Sequence, residues 1–269
     1  MTFSIERKTA IVTGAANGVG LAIARHFADK GANVMFADID EARLEKEVGK
    51  LARKEENIRL FSGDLREKLS IANLLSTTID AFDRIDILVN ASRECAMCDP
   101  LDPSDDTIEA MLQQNLLTSY RLSQAVAKRM IMQAEDTEEK SRSIGSIVNL
   151  SSIAARRTQP QLLAYSVSSA ALDQLTRSLA VALAEHSIRV NSVAFGSVMS
   201  ASLKDSIREH TEYRAEITDH TPLSRIGSAD EVAEAAQFLA SDAAAFMTGQ
   251  IVTIDGGRTL LDPVSAPAH

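Results

Sequence analysis

The chain has 269 residues, enough for one substantial core, with 45% hydrophobic and 24% charged residues and 28 Lys and Arg against 37 Asp and Glu. A formal net charge of −9, with no basic run to offset it, argues against nucleic-acid binding and attachment to anionic lipid. MTFSIERK lacks the apolar core of a secretory leader, and no apolar stretch approaches the ~20 residues that cross a bilayer, so the expectation is a cytoplasmic protein with no membrane partner.

Apolar runs of strand length alternate with amphipathic stretches of helix length along the whole chain. TAIVTG, NVMFAD, IRLFSGD, DILVNA, SIVNLS, IRVNSVA and QIVTID are rich in β-branched residues and nearly continuous in hydrophobicity, as strands covered on both faces should be. With helices between them and no internal repeat, they predict the α/β class: a single-domain Rossmann-like, doubly wound sheet of about seven parallel strands flanked by helices, over residues 1–269. The charged stretch AEDTEEKSRS at 134–143 predicts a solvated loop, and residues 259–269 a C-terminal tail.

The first strand opens into AANGVG and the helix LAIARHFADKG. Gly14, Gly18 and Gly20 form a T-G-x-x-x-G-x-G, in which positions without side chains let the backbone approach a pyrophosphate at a helix N-terminus. Asn17 and Val19 stand between these glycines, and neither brings a cation for an added phosphate. Asp38 closes the second strand, where a carboxylate accepts hydrogen bonds from both hydroxyls of an adenosine ribose and repels a 2′-phosphate. The pattern predicts NAD as cofactor in preference to NADP. Cys95 and Cys98 form a lone C-x-x-C with no second half-site, so they are taken as loop residues and no metal is expected.

Further motifs follow in order: GDL at 63–65, Asn115 in QQNLLTSY, LSS ending at Ser152, Tyr165 in YSVSSAAL, and GQIVTIDGG at 249–257. With TGAANGVG, these make residues 7–258 resemble the short-chain dehydrogenase/reductase family. The resemblance implies hydride transfer between a nicotinamide and a ketone or secondary alcohol, in the manner of 3-oxoacyl-thioester reductases or of polyol and steroid dehydrogenases. It implies that Tyr165 passes the proton, Ser152 hydrogen-bonds the substrate oxygen and Asn115 anchors a water-linked proton path. Asp64 and Leu65 would line the adenine pocket. Asn90, Gly196, Val198 and Ser200 would follow the cofactor toward its nicotinamide end. It also implies a homotetramer or homodimer, paired through the helices holding Asn115 and Tyr165; LLAYSVSSAALDQLTRSLAVALA is more apolar than one buried helix face requires.

Three positions depart from that family's pattern. Its lysine, four residues after the tyrosine and on the same helix face, is here Ser169, which brings a hydroxyl to the nicotinamide ribose but no charge. Its N-N-A-G is Asn90, Ala91, Ser92, Arg93, and its Pro-Gly is Phe195, Gly196. A phenol titrates near ~10, so alcohol oxidation requires a cation that favours phenolate. Arg93 has three alternatives: it replaces the missing cation, fills the nicotinamide pocket, or turns to solvent. The two functional readings are an NAD-dependent oxidoreductase, slowed by the loss of lysine, and a catalytically silent dinucleotide-binding protein of the same fold.

Overall fold

The structure is a computed structural model and describes residues 3–135 and 143–262. Its strands are β1 (Thr9–Thr13), β2 (Asn33–Asp38), β3 (Ile58–Ser62), β4 (Ile87–Asn90), β5 (Gly145–Ser152), β6 (Ile188–Phe195) and β7 (Ile251–Ile254). The helices are α1 (Gly18–Asp29), α2 (Glu41–Ala52), α3 (Lys68–Phe82), α4 (Thr107–Met111), α5 (Thr118–Glu135), α6 (Leu163–Leu183), α7 (Ala201–Glu209), α8 (Glu212–Asp219) and α9 (Ala229–Ala240).

All seven strands form one parallel sheet in the order β3-β2-β1-β4-β5-β6-β7. The predicted fold class is therefore the observed one. Alternation along each strand divides the core between two faces. Val12, Phe36 and Val89 meet Phe27 of α1 and Val232 and Leu239 of α9, while Ile11, Met35 and Leu88 meet Leu74 of α3 and Leu122 and Met130 of α5. Each of these side chains is buried, and burial of one contributes roughly 1.5–3 kcal/mol. This two-sided demand explains why the strands read as continuous apolar runs.

Several polar groups inside the sheet are matched, while Arg189 Nε has no partner. Asn90 donates to Ser123 Oγ at 3.0 Å and to Asn149 Oδ1 at 2.8 Å, and Asn149 donates to Thr176 Oγ1 at 2.8 Å. Buried Arg189 donates to the carbonyls of Leu239 at 2.7 Å and Ser241 at 3.1 Å, placing a cation at the negative end of α9. At the other end of α9, Ser228 and Glu231 form a reciprocal cap. Arg225 pairs with Glu231 and, with the cap, holds that carboxyl down to about 2.

Two boundaries differ from the sequence expectation. α5 runs through Glu135, because Ala134 and Glu135 are good helix formers and continue its last turn. The rest of the expected 134–143 loop, apart from Ser143, lies outside the described residues. Arg258–Leu260 form a 3-10 turn rather than the start of a tail. Asp255 accepts from Thr259 N at 2.8 Å, and Arg157 bonds the Thr259 carbonyl. The remainder of that tail, 263–269, is also outside the described residues.

Candidate active site

The strand order reverses between β1 and β4, and such a crevice beyond the carboxyl ends of the strands is where open α/β sheets bind ligands. Thr13 Oγ1 joins the two strand ends: it donates to Val89 O at 3.4 Å and accepts from Ala91 N and Ser92 N, both at 3.0 Å. Gly14, at φ +62°, fits beneath the β4 turn, where a Cβ would meet Ala91 O at 2.8 Å. Gly20 packs so closely that a Cβ would collide with the Gly14 carbonyl.

Gly18, at φ +56°, has nothing within 4 Å of where a Cβ would lie, so the backbone at the N-terminus of α1 faces open space. Asn17 is the N-cap, but its side chain makes no capping bond, and Val19 is buried. Asp38 braces the turn, accepting from Ala16 N at 2.9 Å and Asp40 N at 3.0 Å. This glycine cradle and adjacent carboxylate fit a dinucleotide's pyrophosphate and ribose. Further along the edge, Asp64 accepts from Arg66 at 2.7 Å, which holds its carboxyl below the usual range. Leu65 is buried beside Ile71 and Leu74. Asn90 turns its amide into the sheet, which leaves only its backbone for a cofactor.

Arg93, Phe195 and Ser169 lie in one neighbourhood around Ser151 and Tyr165. Arg93 Nη1 donates to the Tyr165 hydroxyl at 2.6 Å and, more weakly, to Ser151 O at 3.4 Å. Its guanidinium carbon lies 4.1 Å from the centre of the Phe195 ring and 5.8 Å from that of Tyr165. The arginine is therefore turned into the site rather than to solvent. Tyr165 and Ser169 are both buried on α6, with the Ser169 carbonyl accepting from Ser151 Oγ at 3.4 Å. Ser152 ends β5, where its Oγ accepts from Ala154 N at 3.1 Å.

Asn115 sits in a π-helical stretch, Leu112–Leu117, that leads into α5. Its side chain clasps the β4 turn: Oδ1 accepts from Glu94 N at 2.9 Å, and Nδ2 donates to Glu94 O at 2.9 Å and Ser168 Oγ at 3.1 Å. These bonds position the residue next to Arg93, a role that the sequence reading missed. The aromatic support from Phe195 was also missed, although its position as a departure beside Gly196 was the available signal.

Gly196 lies where a Cβ would approach Asp255 Cβ to 3.1 Å, and Val198 bridges to Gly227. Ser200 Oγ accepts from Leu203 N at 3.2 Å. Cys98 Sγ accepts from Ala164 N at 3.5 Å, and Cys95 is exposed. Among the described residues there is no cluster of three or more metal-ligating side chains, and no helix is long and apolar enough to cross a membrane.

Sheet, glycine turn and tyrosine-bearing helix together define a Rossmann-like fold. The chain belongs to the short-chain dehydrogenase/reductase family of oxidoreductases: residues 14–259 match the family model described as enoyl-(acyl carrier protein) reductase. It is similar to oxidoreductase UcpA of Escherichia coli K12, with 34% identity over 264 residues that cover 96% of this chain and 97% of the relative. Among solved structures, a 7α-hydroxysteroid dehydrogenase complexed with NADH and 7-oxo glycochenodeoxycholic acid superposes with TM-score 0.86 at 30% identity, covering 95% of this chain and 96% of that one. A gluconate 5-dehydrogenase from Burkholderia cenocepacia with NADP and tartrate gives TM-score 0.85 at 26% identity, covering 97% and 98%.

A methyl group at Gly18 would point into the open side of the cradle. Gly18→Ala is expected to cost about 1 kcal/mol of stability through its positive φ. It should weaken NADH binding by about tenfold or more by blocking close approach of the pyrophosphate. Urea denaturation and titration calorimetry measure the two effects separately.

Proposed function

We propose that the protein is an NAD-dependent oxidoreductase acting on a ketone or secondary alcohol, with Arg93 in the electrostatic place of the absent lysine. The observation that carries this reading is the 2.6 Å hydrogen bond from Arg93 to the Tyr165 hydroxyl. Bound NAD(H) supplies or accepts the hydride. The backbone at Gly14, Gly18 and Gly20 holds the pyrophosphate, and Asp38 accepts from the ribose hydroxyls. Ser152 orients the substrate oxygen, and Tyr165 exchanges a proton with it. Arg93 stabilises negative charge on the phenol oxygen as that proton leaves. Asn115 fixes the turn carrying Arg93, and Ser169 contributes a hydroxyl toward the ribose. Ser200 and the backbone at Asn90, Gly196 and Val198 line the nicotinamide end, with Asp64 and Leu65 near the adenine.

A second reading rests on the same side chain. Arg93 spans the space between Tyr165 and the Phe195 ring, 4.1 Å from that ring's centre, and a nicotinamide lying there has to displace it. A chain in which it is not displaced binds the dinucleotide and is catalytically silent.

Relatives are seen with either NADH or NADP, so the preference rests on Asp38 in this chain. Binding of NADH is expected to exceed that of NADPH by at least about tenfold, because the 2′-phosphate meets a carboxylate. Calorimetric titration with both cofactors is the test, and equal affinity would remove Asp38 from the ribose site.

We also propose a homotetramer. Support comes from the outer face of α6, where Leu163 is 39%, Val167 41% and Val181 80% exposed. Light scattering at micromolar concentration should give four chain masses, and a monomeric mass would refute the assembly.

If Arg93 supplies the charge, Arg93→Ala should lower alcohol oxidation by ~10- to 10³-fold and ketone reduction by less, since reduction begins from the neutral phenol. Ser169→Lys should add little to the wild type. Assays of both directions from about pH 6 to 10 distinguish these outcomes; no turnover with NAD still bound would favour the silent protein.

A further inference from the structure

The guanidinium of Arg93 carries more donors than Tyr165 uses. Arg93 is half-buried, and its recorded hydrogen bonds, to Tyr165 and Ser151, both come from Nη1. Nε and Nη2 have no hydrogen-bond partner, and no carboxylate lies within ion-pair distance among the described residues, although the chain has nine more acidic than basic residues. Glu94 is exposed, with its backbone clasped by Asn115, and both Asp255 oxygens accept backbone N–H groups.

A planar cation with unused donors, held against an aromatic face beside the proton-transferring hydroxyl, is suited to bidentate recognition of an anion. Its relation to Tyr165 narrows the class. Tyr165 Oη accepts from Arg93 Nη1 at 2.6 Å, which leaves the phenol's own hydrogen free to donate beside the guanidinium's unused Nε and Nη2. A carbonyl and a carboxylate on adjacent carbons likewise present neighbouring acceptor oxygens, about 2.7 Å apart when they lie on the same side.

Building on the dehydrogenase reading above, we propose that the substrate pair is a 2-oxo acid and its 2-hydroxy acid, with Arg93 binding the carboxylate while Tyr165 and Ser152 bind the reacting oxygen. In the reductive direction, hydride passes from NADH to carbon 2 and the Tyr165 proton to its oxygen, giving the 2-hydroxy acid and NAD. Tyr165 is then reprotonated from solvent. The carboxylate is unchanged. The cofactor's pyrophosphate is the other available anion, but its cradle lies at the Gly14–Gly20 turn, whereas the guanidinium is at the tyrosine.

The test pairs 2-oxobutyrate with 2-butanone, which differ in the carboxylate. Wild-type kcat/KM for the acid should exceed that for the ketone by about tenfold to a hundredfold, with most of the difference in KM. Arg93→Gly should collapse that ratio toward one, and Arg93→Lys should keep part of it. Calorimetry of 2-oxobutyrate binding to the enzyme–NAD complex, which lacks a hydride to transfer, gives a readout independent of turnover. Binding there should be lost in Arg93→Gly.

Equal rates on both compounds, or a ratio unchanged in Arg93→Gly, would overturn the substrate assignment while leaving the dehydrogenase reading intact. Loss of NADH affinity in Arg93→Gly without a change in the ratio would assign the cation to the pyrophosphate and likewise overturn it. If neither compound turns over, Arg93-dependent binding of 2-oxobutyrate still supports the anion site while the dehydrogenase reading fails. Absence of such binding would sink the proposed site.

Discussion

The arrangement depends on the close approach of two chain ends at the centre of the sheet. β1 and β4 finish side by side, and Thr13 bonds the backbone of both the last β4 residues and the turn beyond them. There is no room between the two turns for a side chain at Gly14. This contact fixes the glycine cradle on one side and the origin of the Arg93 side chain on the other. The glycine turn and the turn that carries Arg93 are thus positioned by the same backbone junction.

Arg93, Phe195 and Ser169 are far apart in the sequence but belong to one neighbourhood in the fold. Phe195 gives the guanidinium a flat aromatic face. Asn115 holds the backbone of the next residue, Glu94, from the π-helical stretch and also reaches Ser168 on α6. The placement of a flexible arginine is therefore supported by two helices and a strand end, which reduces the entropy lost when it engages a ligand.

Much of this was legible in the sequence for a simple reason. Strands buried on both faces write themselves as apolar runs, and close backbone approach writes itself as glycine; Ile11 beside Val12, and Gly14 and Gly20, are examples. The direction taken by Arg93 was not legible, because a side chain with several rotatable bonds is directed by partners remote in sequence. Tyr165 is 72 residues away and Phe195 is on another strand. The clasp of Asn115 on Glu94 was hidden for the same reason. The end of α5 was misjudged because charge was read as loop where helix propensity persisted.

The Arg93–Tyr165 contact also limits which cations the site can hold together. A lysine at 169 and an arginine at 93 would set two like charges around one phenol, each weakening the other's hold. A chain with neither would leave the phenol with no cation. Positions 93 and 169 are therefore alternative seats for one cation around Tyr165 rather than additive ones.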